Sequence, residues 1–161
     1  MGLLHLTRET SAAPEVAWAV LTDFAGYGRW MPMTSMRVDP GPVRLGWGFA
    51  GLSGWGPLTF SDSMLVSAWV PPTEGGGTAR FRVVKTGRLL GGWAEISLTP
   101  REGGGTRVDW VEEVVVRPLP FPAAFAPALD RVSRWLYGRA VDAMLAHAGR
   151  AHTETTTGGA S

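Results

Sequence analysis

The chain has 161 residues, 45% of them apolar and 18% charged, which suits one folded domain with a substantial core. A net charge of +1, with arginines scattered among acids, gives no basic patch, so no nucleic-acid partner is expected. The absence of cysteine excludes disulfides and thiol chemistry, and His5, His147 and His152 lack metal-ligand spacing, so neither a metal nor a cofactor is expected.

No charged-then-apolar leader and no apolar run of about 18 residues is present, so no integral membrane segment is expected and a cytoplasmic location is the default. Leu3 to Thr10 alternates, with Leu4, Leu6 and Arg8 on one face, and predicts an opening strand in which His5 lies on the surface or faces a neighbouring strand. Pro14 and Glu15 suit the first turn of a helix whose apolar stripe is Val16, Ala17, Val20 and Leu21, flanked by Trp18. Thr22-Asp23 ends or re-caps it, and Phe24 to Met31 predicts a second short helix or turn stopped by Pro32.

Ser35 to Asp39 predicts a short strand and Val43 to Phe49 the next. Between Gly46 and Gly56, Trp47, Phe49 and Trp55 alternate with glycines. Glycine frees the backbone and exposed aromatics must cover something, so this segment is expected to form a lid over a cavity, or else to cap the core beneath a hairpin. Thr59 to Val70 predicts a long strand with Asp62, Met64, Val66 and Ala68 on the inner face, and Leu65 and Trp69 outside.

Three strands should follow as consecutive hairpins: 78–85, 93–99 and 106–116, with glycine-marked turns at 87–92 and 100–105. Opposed residues share a face, so the apolar sets fix the pairing. The expected partners are Phe81 with Leu98, Val83 with Ile96 and Lys85 with Ala94, then Leu98 with Val108, Ile96 with Trp110 and Ala94 with Glu112. Pairing Ala68 with Phe81, Val66 with Val83 and Met64 with Lys85 places Asp62 just beyond Lys85. The inner face is therefore apolar except for Asp62, Lys85 and Glu112, and buried charges must be paired, hydrated or met by a polar ligand group.

Prolines from 118 to 122 predict a stiff connection. Residues 123–148 have helical periodicity, with Phe125, Leu129, Val132, Leu136, Ala140 and Ala143 on one stripe. Arg139, at the stripe's edge, should snorkel outward or else reach the cavity mouth. Residues 149–161 read as a small, polar, disordered tail, leaving a single domain over 1–148.

This order, with Pro14-Glu-Val-Ala-Trp18 leading into Asp23 and Trp30, Trp69-Val-Pro-Pro72, Gly104-Gly-Thr-Arg-Val-Asp-Trp110 and a terminal amphipathic helix, resembles the START-like helix-grip superfamily, and most closely its polyketide cyclase/dehydrase and lipid transport branch. The resemblance implies an α+β fold: a curved seven-stranded antiparallel sheet wrapped around a long C-terminal helix, with two short helices after the first strand. It also implies a hydrophobic cavity for a lipid-like, polyketide, aromatic or quinone-like ligand, and carries over no universal catalytic residue.

The lining expected here is Met64, Val66, Phe81, Val83, Ile96, Leu98, Val108 and Trp110 from the sheet and Leu129, Val132 and Leu136 from the helix, with Asp62, Lys85 and Glu112 as the polar group. These large side chains would alternatively fill the space as a packed core. The leading expectation is a binder or carrier of a small hydrophobic ligand, with Trp110 stacked on it. The alternatives are a cyclase or dehydratase using Lys85 and Glu112, and a protein-interaction module presenting Trp47, Trp55, Trp69 and Trp93. Nothing in the pattern fixes an oligomeric state.

Overall fold

The alternation that defines the strands also stacks them. The computed structural model of the chain describes residues 3–116 (except 55, 57, 58 and 74–76), 131, 135 and 138–151. Seven strands form one antiparallel sheet: β1 (Leu3–Thr10), β2 (Thr34–Val38), β3 (Gly48–Ser53), β4 (Phe60–Val70), β5 (Ala79–Thr86), β6 (Leu90–Pro100) and β7 (Thr106–Val116), in the order β1-β7-β6-β5-β4-β3-β2. Even-numbered residues of β7 point inward with those of β1, so Leu4 opposes Glu112, Leu6 opposes Trp110 and Thr10 opposes Thr106.

Between β1 and β2 lie α1 (Pro14–Leu21), begun by proline in its first turn, and a 3-10 helix (Phe24–Arg29) whose first turn is capped by Asp23 accepting from the Gly26 amide at 3.1 Å. The helix expected at the end of the chain is described as α2 over residues 138–151. Val141, Met144, Leu145 and Ala148 bury its inner side in the core. Arg8 ties it to β1 through Asp142 at 2.6 Å, and the buried Thr10 hydroxyl donates to the Leu145 carbonyl at 3.3 Å. Gly149 to Ala151 belong to this helix rather than to a tail. The proline connection, the first part of the expected helix apart from residues 131 and 135, and residues 152–161 lie outside the described residues.

The β6–β7 pairing is the predicted one, with Leu98 opposite Val108, Ile96 opposite Trp110 and Ala94 opposite Glu112. The β5–β6 pairing is displaced by two residues: Phe81 faces Ile96, Val83 faces Ala94 and Lys85 faces Gly92. Gly91 and Gly92, expected in the turn, are instead paired residues of β6, opposite Thr86 and Lys85 of β5. A β-carbon on Gly92 would lie 1.9 Å from the Glu113 carbonyl oxygen, and its φ of +112° is a glycine conformation. The shift preserves every inward face because side chains alternate with a period of two.

Three further expectations are corrected. The β4–β5 ladder keeps Met64 with Lys85 and Val66 with Val83, then shifts by one residue before Ala68, so Trp69 rather than Ala68 faces Phe81. The bulge turns Trp69 inward, where its ring meets Trp18 at 4.8 Å. Trp18 is itself a buried core residue of α1, together with Ala17 and Leu21, while Val16 and Val20 are only partly covered. Finally, Val43 to Trp47 is loop rather than strand, with a turn at Leu45-Gly46, and the glycine-aromatic segment supplies β3, with Phe49 paired to Val38 and Met64.

Candidate ligand-binding site

Lys85 is the sole lysine of the chain, against fourteen arginines. Its side chain is 2% exposed, and β5 sets it on the inner face beside Met64 of β4. The ammonium lies 2.7 Å from Asp62 Oδ2 and 3.4 Å from Glu112 Oε1, with the Met64 sulfur at 3.9 Å. Glu112 is 1% exposed, and its other oxygen accepts from the Trp110 indole at 3.2 Å. The three charged groups form the cluster anticipated from the sequence, with Lys85 and Glu112 on a diagonal across β6 instead of in one row. Alternate strands stand roughly 10 Å apart, and Gly92 and Ala94 on the intervening β6 are small enough to let Lys85 and Glu112 meet above them. A compact ammonium suits this slot better than a planar guanidinium.

Around the cluster the inner face is apolar. Val66, Phe81, Val83, Ile96, Leu98, Val108 and Trp110 are all buried, and Met64 is partly so. Leu129, Val132, Leu136 and Trp55 lie outside the described residues. Trp47 and Phe49 are core residues: Phe49 stacks on Phe24 with ring centroids 4.3 Å apart, and Trp47 packs on the same ring at 5.8 Å. They sit beside β3 and within it, and of the two expectations for this segment these two rings fit the core cap and not the lid.

The tryptophan patch of the interaction reading does not form among the described residues. Trp47 is interior, Trp69 packs inward, and Trp93 is engaged on the outer face by Arg82 at 4.4 Å and by its own indole donating to Glu113 at 2.9 Å. Arg139 reaches outward over Trp135 at 5.1 Å, and His5 sits on the outer face 3.7 Å from Asp109.

Residues not singled out in the sequence complete the wall. Phe24, buried, and Tyr27 project from the 3-10 helix, whose i and i+3 side chains eclipse. Tyr27 donates its hydroxyl to the Leu21 carbonyl at 2.5 Å. Burial pushes this phenol well above its ordinary value, and the negative charges of Asp23 and Glu112 act in the same direction. The i, i+3 spacing of Phe24 and Tyr27 was the available signal for both.

Two interior polar atoms have no hydrogen-bond partner among the described residues, Asp62 Oδ1 and Trp47 Nε1. No group of three or more His, Asp or Glu among the described residues has the geometry to hold a metal ion. No helix among them is long and apolar enough to cross a membrane. A surface groove of about 450 Å³ beside Thr10, Asp142 and Arg150 lies at the other end of β1 from the charged cluster and takes no part in it.

An open seven-stranded antiparallel sheet carrying a C-terminal helix across its inner face, with polar groups set into that face, defines a START-like helix-grip protein. The chain belongs to the family described as polyketide cyclase / dehydrase and lipid transport, which it matches over residues 1–149. Its fold is similar to that of the Zhui aromatase/cyclase from a Streptomyces species (15% identity, 92% of this chain and 94% of that one, TM-score 0.68). It is also similar to a START superfamily protein from Mycobacterium smegmatis (16% identity, 90% and 97%, TM-score 0.64). A hypothetical protein of Helicobacter pylori aligns with a TM-score of 0.71 at 9% identity, over 91% and 88% of the two chains. A search of curated proteins returns no match.

Proposed function

We propose that this protein binds a small hydrophobic ligand against the inner face of β4 to β7, with the Asp62–Lys85–Glu112 cluster meeting the ligand's polar group. One observation carries the reading: a lone lysine and two carboxylates are buried on an otherwise apolar face, where isolated charges are costly and a few convergent polar groups commonly fix a ligand's orientation. The family description and the fold of the neighbours support the same class of role.

A cyclase reading would use Lys85 to stabilise a developing enolate. Two carboxylates already share that ammonium, and their combined charge opposes a further anion beside it, so the geometry favours binding over this chemistry. Native mass spectrometry of freshly purified protein tests the proposal. A retained adduct of small-molecule mass, released on denaturation, is the expected result. A bare polypeptide that also fails to take up naphthalene-sized aromatics in calorimetry would remove it.

A further inference from the structure

Four carboxylate oxygens belong to the buried cluster, and three are engaged. Asp62 Oδ2 and Glu112 Oε1 share the Lys85 ammonium, and Glu112 Oε2 takes the Trp110 indole hydrogen. The fourth, Asp62 Oδ1, is sealed from solvent and has no donor among the described residues, although the residue is 8% exposed and its side chain 11%. A buried acceptor left unmade forfeits the solvation it had in water, on the order of 1–3 kcal/mol and more for a charged group. Among the described residues the cluster also has two acids for one base, so its formal charge is one unit negative. Both features ask the same thing of an incoming group: it must bring a hydrogen to Oδ1 and must not bring a second negative charge.

Resting on the ligand-binding reading above, we infer that Asp62 is the anchor for a neutral ligand's hydroxyl, and that this site rejects ligands ending in a carboxylate or other anion. The apolar rows take the ligand body, while Lys85 holds Asp62 in place through Oδ2 and leaves Oδ1 to accept. An ordered water is the competing occupant of a polar interior site, and a water held there permanently would make the site indifferent to the head group.

Calorimetric titration of the full chain with four probes sharing one ring system separates these cases: naphthalene, 2-naphthol, 2-acetylnaphthalene and 2-naphthoate. The naphthol should bind about tenfold or more tighter than the naphthoate, with the acceptor-only ketone close to the hydrocarbon. Asp62→Asn, which removes the surplus charge, should narrow the naphthol-to-naphthoate ratio several-fold. Naphthoate binding as tightly as naphthol in the native chain, the ketone binding tightest, or equal affinity for all four probes would each overturn the inference while leaving the binding reading intact. Failure of naphthalene and all three derivatives to bind would instead bring down that reading and this inference with it. The native-chain comparison stands even if the variant does not fold.

Discussion

Asp62 and Trp69 stand seven residues apart on β4, yet both face the core, a relation that a regular strand forbids because odd separations point to opposite faces. The bulge between Val66 and Ala68 resolves it. On one side the ladder delivers Asp62 to Lys85; on the other it delivers Trp69 to Trp18 and Phe81. Bulges re-aim side chains in this manner.

Deleting Ser67, the extra residue of the bulge, leaves Asp62 and Trp69 six residues apart, so a regular ladder should keep both on the core face with Trp69 still opposite Phe81, and the deletion should cost less stability than the truncation Trp69→Ala. The truncation itself should cost about 2–3 kcal/mol, below the ~3–5 kcal/mol of a fully buried tryptophan, because Trp69 is only partly covered. Urea unfolding of both variants measures this. A deletion costing more than the truncation would show that Trp69 depends on the bulge itself and not on the face parity of β4.

Replacing Lys85 by Met strands two carboxylates in the interior and should cost about 3–5 kcal/mol, as for one partner lost from a buried ion pair. Adding Asp62→Asn and Glu112→Gln should recover much of that loss, since the remaining groups are uncharged. A single variant as stable as the parent would mean that the acids are not held by this amine.

Amine-directed labelling gives a direct readout of the same cluster. Lys85 is the only side-chain amine and is 2% exposed, so brief acetylation of native protein should leave it unmodified, whereas labelling in guanidinium should modify it fully. Peptide mass mapping distinguishes the outcomes, and rapid native modification would reveal that the cluster opens readily.

Tyr27 sets an alkaline limit. Its folded-state proton is held more tightly than in the unfolded chain, so its contribution is complete below the ordinary value near 10 and is lost as pH rises above it. Unfolding free energy should fall across that window in the parent and less steeply in Tyr27→Phe, which keeps the ring but lacks the proton. Parallel slopes would assign the alkaline loss to other groups.

Gly92→Ala should destabilise by at least about 1–3 kcal/mol through backbone strain alone, with the clash against the Glu113 carbonyl adding to it. Hydrogen exchange should show the loss concentrated where β6 meets β7, beneath Lys85. Unchanged protection there would argue that the strand end accommodates a side chain.

The amino-acid pattern read the inward faces of β5 to β7, and that of β4 as far as Val66, while it read the registers unevenly, for a physical reason. A two-residue slide leaves every side chain on its own face, so alternation alone cannot tell Lys85 opposite Ala94 from Lys85 opposite Gly92. The β6–β7 pairing was legible because a short turn joins two unambiguous runs ending at Pro100 and beginning at Thr106. A bulge has no signature in hydropathy; the visible clue was that regular pairing left Trp69 outside. Trp18 was illegible as a wall residue because its inward direction depends on how α1 settles on the sheet, and the i, i+3 spacing of Phe24 and Tyr27 put them on one face without saying which way that face turns. The charged cluster was legible because a lysine and two acids in phase with apolar neighbours stand out on any face.

One border of the sheet is Thr34–Val38, only five residues long, with Pro32 before it, Pro40 after it and Arg37 exposed within it. A foreign strand approaching that margin would find few amides to zip onto and a positive charge in the way. Amyloid-like growth by strand addition therefore has a poor foothold along this side of the molecule.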